Sequence, residues 1–80
     1  MSELMSRLQA AAEHAEETSN EGRFDVELIV SPIGIKIMVA DRNNELGDER
    51  LITFADLESA RGNALVLLIN TAIAEFPKEN

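Results

Sequence analysis

The sequence predicts one small α+β domain in the order α-β-β-β-α, an antiparallel three-stranded meander with helices packed on one face. Three observations predict it. Apolar residues recur at helical spacing near both ends of the 80-residue chain, they alternate with polar residues in between, and turn residues mark each change of period. Eighty residues make a single domain, residues 1–80, with little core to spare. Apolar residues form 45% of the chain, which supports a packed core rather than disorder.

Residues 3–19 read as the first helix. Leu4, Leu8, Ala11, Ala12 and Ala15 fall on one stripe, and its alanines let the helix lie close to whatever covers it. Ser2 is the expected N-cap, and Ser19-Asn20-Glu21-Gly22 the stop. Phe24, Val26, Leu28 and Val30 then alternate with Asp25, Glu27 and Ile29, giving a half-buried strand over 23–30. Ile35, Ile37 and Val39 alternate with Lys36, Met38 and Ala40, giving a second over 35–41.

The hydrophobic pattern sets the register of these two strands. A three-residue loop with a bulge at Gly34 would put Val30 opposite Lys36. A loop of Ser31 to Gly34 puts Val30 opposite Ile35, Leu28 opposite Ile37 and Val26 opposite Val39, all on one apolar face. A one-residue slip inverts the faces, so the four-residue loop is expected, with Pro32 supplying the φ of a type I turn. On the outer face Glu27 then lies opposite Met38 and diagonal to Lys36, within reach of an ion pair.

The polar residues 41–50 read as a loop, residues 50–54 as a short third strand, and residues 55–76 as one long helix stopped by Pro77. Thr53 and Asp56 resemble a capping box at its start. On that helix Ala64, Leu57, Leu68, Ala72, Leu65, Phe76, Ile69, Ile73 and Val66 cover roughly half the circumference. One sheet and one alanine-rich helix leave part of such an arc uncovered. Leu65, Val66, Ile69, Ile73 and Phe76 are therefore expected to serve as core or as the seam of a homodimer.

Charge bounds the function. Fifteen acidic side chains against seven basic ones give a formal charge of −8. That balance disfavours direct nucleic-acid or anionic-membrane binding and favours a protein partner with a basic surface. The absence of cysteine removes disulfides and thiolate chemistry and fits a cytoplasmic location. Residues 1–7 lack the apolar run of a signal peptide, and the longest apolar stretch, residues 64–69, is far too short to span a bilayer. His14 has no second histidine or cysteine to complete a metal site and reads as a solvated surface group. Asp41, Asn43, Glu45, Asp48 and Glu49 suggest a calcium loop, but the positions that need glycine and glutamate hold Leu46 and Ile52. Glycine-rich phosphate loops and a nucleophile–histidine motif are missing. No catalytic residue, metal or cofactor is expected, and a metal-dependent enzyme around Asp41 to Glu49 is the least favoured reading.

Glu13, Glu16, Glu17 and Glu21 are better candidates. They crowd the C-terminal end of a helix, where the macrodipole disfavours negative charge, and Glu13 and Glu17 are like-charge neighbours at i,i+4. Asp25 and Glu27 follow on the outer face of the first strand. Either this is an acidic surface held for a basic partner, with Asp48 and Glu49 as a second cluster, or it is charge that keeps a small domain dispersed. In its build (short, acidic, free of cysteine) the chain resembles the small inhibitors that phages use against host defences, anti-CRISPR and anti-restriction proteins among them. The resemblance rests on composition. It implies a non-enzymatic inhibitor whose carboxylates occupy a basic, nucleic-acid-binding surface of a partner protein. The alternative is a small acidic homodimeric adaptor or chaperone that pairs through its last helix.

Overall fold

The computed structural model describes residues 2–77. The elements are α1 (Ser2–Asn20), β1 (Phe24–Val30), β2 (Gly34–Asp41), β3 (Leu46–Thr53), α2 (Phe54–Ser59) and α3 (Ala64–Glu75). The strands form one antiparallel sheet in the order β1-β2-β3. The alternating residues pair as their pattern requires: Val26 with Val39, Leu28 with Ile37, Val30 with Ile35. The Ser31–Gly34 loop is closed by the Ser31 N–H donating to the Gly34 carbonyl at 2.8 Å and the Gly34 N–H donating to Ser31 Oγ at 3.2 Å.

The core lies between one face of the sheet and the helices. Phe24, Val26, Ile35, Ile37 and Val39 meet Ala11 and Ala15 of α1, Leu57 of α2, and Leu65, Ile69 and Ala72 of α3. Helix α1 packs on β1 and α3 on β2. On the other face Asp25, Glu27, Ile29, Met38, Ala40, Gly47, Glu49 and Leu51 are exposed. Helix α1 already includes Ser2, the residue expected to cap it, and ends before Gly22, whose φ of 100° suits a glycine.

Two elements depart from the sequence expectation. Strand β3 begins at Leu46, so most of the expected loop over 41–50 is strand, and Phe54 belongs to α2. The inward positions of β3 are Leu46, Asp48, Arg50 and Ile52, facing Asp41, Val39, Ile37 and Ile35. Charges occupy the middle of that row. Arg50 Nε donates to Asp48 at 2.8 Å, and Arg50 Nη2 donates to Glu75. An ion-paired strand at the sheet margin shows no apolar alternation, which is why its first half is hidden in the sequence.

The expected helix over 55–76 is two helices. Gly62, with φ 67°, breaks it, and Asn63 restarts it. The Asn63 Oδ1 accepts from the N–H groups of Leu65 at 3.1 Å and Val66 at 3.4 Å. Its Nδ2 donates to the Arg7 carbonyl at 3.0 Å, tying the start of α3 to α1. Thr53 caps α2 by accepting from the Asp56 N–H at 3.2 Å, one half of the expected box. Asn63→Ala, which removes both the cap and the tie, is expected to cost about 1–2 kcal/mol in urea denaturation. A change within experimental error would mean that the cap is dispensable.

The break divides the wide apolar arc. Leu65, Ile69 and Ala72 are buried in the chain's own core, and Val66, Ile73 and Phe76 are half-buried. Phe76 meets Phe24 with ring centroids 5.5 Å apart. Leu67 stands outside this arrangement, 66% exposed.

One buried carboxylate ties the β2–β3 turn to the rest. Asp41 accepts from Arg23 Nη2 at 3.0 Å, Asn44 Nδ2 at 2.8 Å, and the N–H groups of Asn43 at 3.0 Å and Asn44 at 3.3 Å. Arg23 also donates to the Pro77 carbonyl and lies 4.7 Å over the Phe24 ring. His14, expected to be solvated, is instead hydrogen-bonded through Nε2 to Asn70 Oδ1 at 2.7 Å, joining α1 to α3.

Candidate functional site: the acidic edge of the sheet

The ladder between β1 and β2 determines which backbone groups stay free. The Arg23 carbonyl accepts from the Arg42 N–H at 2.8 Å, and the Ser31 N–H donates to Gly34. These rungs place Asp25, Glu27 and Ile29 at the hydrogen-bonded positions of β1, directed towards β2. Phe24, Val26, Leu28 and Val30 therefore direct their N–H and C=O groups away from β2, past the margin of the sheet. Ser19 Oγ accepts from the Val26 N–H at 3.1 Å and closes one end of this margin. Leu28 and Val30 lie towards the other end, where Val30 is 65% exposed.

Helix α1 runs antiparallel to β1 and walls this margin. At 100° per residue, Met5, Gln9, Ala12, Glu16 and Ser19 share an arc of about 80°. Met5, Leu8, Gln9 and Ala12 line an open groove of about 410 Å³ with Leu28 and Val30. Glu16 stands on the same stripe one turn beyond Ala12, with Glu13 beside it. Glu17 and Glu21 lie further round, on the α3 side. All four are exposed.

The expected acidic residues thus divide into groups. Glu16 on the helix, with Asp25 and Glu27 on the outer face of the sheet, flanks the free margin of β1, while Glu13 points away from the buried face of α1. Asp48 and Glu49, expected as a second cluster, point to opposite faces of β3. Asp48 is bound to Arg50, and Glu49 reaches Lys36 at 3.2 Å. Lys36 was expected to reach Glu27. It turns instead to the strand on its other side, where Glu49 lies across from Met38 as Glu27 does on β1.

The distribution of cations sharpens this picture. Arg7 pairs with Glu3, Arg23 with Asp41, Lys36 with Glu49, Arg42 with Asp25, and Arg50 with Asp48 and Glu75. Among the described residues no ion pair engages Glu13, Glu16, Glu17, Glu21 or Glu27. Glu45, Asp56 and Glu58 are also without an ion pair among the described residues, but they are scattered, whereas the other five lie close together in the chain between Glu13 and Glu27. Sequence reasoning missed the apolar half of the site, Met5 and Leu8 against Leu28 and Val30. Leu8 and Leu28 carry core-type spacing, and which margin of a sheet stays open is a property of topology.

Among the described residues no three His, Asp or Glu side chains are grouped so as to hold a metal ion, and no helix is long and apolar enough to cross a membrane. No protein-family model, curated protein or solved structure matches the chain.

Proposed function

We propose that this domain is a non-enzymatic protein-binding module that presents an acidic face to a basic surface of a partner protein. One observation supports the reading: among the described residues Glu13, Glu16, Glu17, Glu21 and Glu27 have no ion-pair partner, while Arg7, Arg23, Lys36, Arg42 and Arg50 are engaged with other carboxylates. Unpaired, solvated carboxylates retain their full field and steer a cationic surface into contact. A surface that ordinarily holds phosphates is a natural target, because carboxylates can take the phosphates' place and block it. The domain would then act as an inhibitor by occupancy, and its effect would require no chemistry.

Salt dependence tests this. A partner retained by the immobilised domain from an extract of its source cells should bind at least about tenfold more weakly at 200 mM than at 50 mM salt. An affinity that is flat across that range would rule the reading out.

A further inference from the structure

We infer that the free margin of β1 takes an extended peptide as a fourth strand, with apolar side chains at alternate positions and lysine or arginine between them. This rests on the proposal that the partner is basic, and it adds how the partner is held. The N–H and C=O groups of Leu28 and Val30 point away from β2 and lie beside an apolar groove. An unpaired margin of this kind is a template for strand addition, in which main-chain hydrogen bonds give affinity and alternate side chains give specificity.

The two sides of the margin specify the peptide. Side chains opposite Leu28 and Val30 would point inward and meet Met5, Leu8 and Ala12, the apolar wall of the groove. Leu28 and Val30 lie about 7 Å apart along the strand, so two inward side chains reach that wall. Side chains on the alternate positions would point outward, beside Glu27 and its neighbours Asp25 and Ile29. Glu27 has no cation partner among the described residues, and a lysine or arginine directly across from it would form a cross-strand pair. Glu16 adds a second unpaired carboxylate on the helical wall. The same charges disfavour a second copy of the chain as occupant, since each copy carries −8. Beyond the groove, the bond from Val26 to Ser19 marks where the added strand must stop.

The test uses a blocked heptapeptide of alternating valine and lysine against one of the same composition with its valines and lysines in separate blocks. The alternating peptide is expected to bind at least tenfold more tightly and to slow amide exchange at Leu28 and Val30. Val30→Pro removes a donor from the free margin and none from the β1–β2 ladder, and should lose this binding. Ala12→Phe, which fills the groove from the helix side, should lose it as well, so the result does not depend on one variant folding. Equal binding of the two peptides would overturn the inference and leave the acidic-face reading standing. Binding of neither, with the salt-sensitive partner still retained, would do the same. Concentration-dependent slowing of Leu28 and Val30 exchange in the protein alone would overturn it in favour of self-pairing.

Discussion

Gly34→Ala is expected to lower the Tm by about 15 °C or to prevent folding. Gly34 opens β2 and lies across from Thr53 at the end of β3. A Cβ there would stand 2.1 Å from the Ile52 carbonyl oxygen, 2.8 Å from Thr53 Cα and 2.9 Å from the Ile52 carbonyl carbon. All three atoms are backbone, so no change of rotamer relieves the overlap. The two strands would have to separate where Thr53 caps α2 and where the Phe54 N–H donates to the Ile33 carbonyl. Gly47→Ala is the control. Its Cβ would meet only the Val39 carbonyl oxygen, at an ordinary 3.8 Å. Alanine there restricts the unfolded chain and should leave the Tm unchanged or slightly raised. A Gly34→Ala variant melting with the parent would refute the close approach of β2 and β3.

The second large effect is at Asp41. Its hydrogen bond from Arg23 holds the carboxyl at about 2, below the ordinary 3.8, against the opposing effect of burial. The Asn44 side chain and the N–H groups of Asn43 and Asn44 act in the same direction. Because the folded value is depressed, this stabilisation is fully present above about 3.8 and is lost as the pH falls towards 2. Asp41→Asn should therefore melt well below the parent at pH 7, by about 10 °C or more, since it removes the buried carboxylate charge that accepts from the Arg23 guanidinium. The gap between the two proteins should shrink as the pH is lowered from 4 to about 2. The other carboxylates are common to both proteins, so the difference isolates Asp41. A gap that stays constant over that range would show that the carboxylate charge is not what holds the turn.

These two residues also show what could be read from the chain beforehand. The β1–β2 register was legible because one face is apolar at every second position from Phe24 to Val30 and again from Ile35 to Val39. The role of Gly34 in the approach of β3 was not, because charged Asp48 and Arg50 hold inward positions of β3 and one partner of Arg50, Glu75, lies 25 residues further on. Asp41 read as a loop residue because its partner Arg23 lies across the sheet. The break between α2 and α3 had a local signal in Gly62-Asn63, a left-handed residue followed by an N-cap, but the continuous apolar arc outweighed it. The acidic residues of α1 were visible as a group. That they border an open strand and an apolar groove follows from which strand lies at the margin, and no local spacing encodes that.

The central claim is that carboxylates at one place, and not net charge as such, engage the partner. Two triple variants that each remove three charges separate these. Glu13→Gln, Glu16→Gln and Glu27→Gln together remove three of the clustered unpaired carboxylates of α1 and β1, while Glu3→Gln, Glu45→Gln and Glu58→Gln remove exposed ones elsewhere. Measured against the same basic partner at low salt, the first set should weaken binding by at least about tenfold and the second by less than about twofold. Equal losses from the two sets would contradict the account.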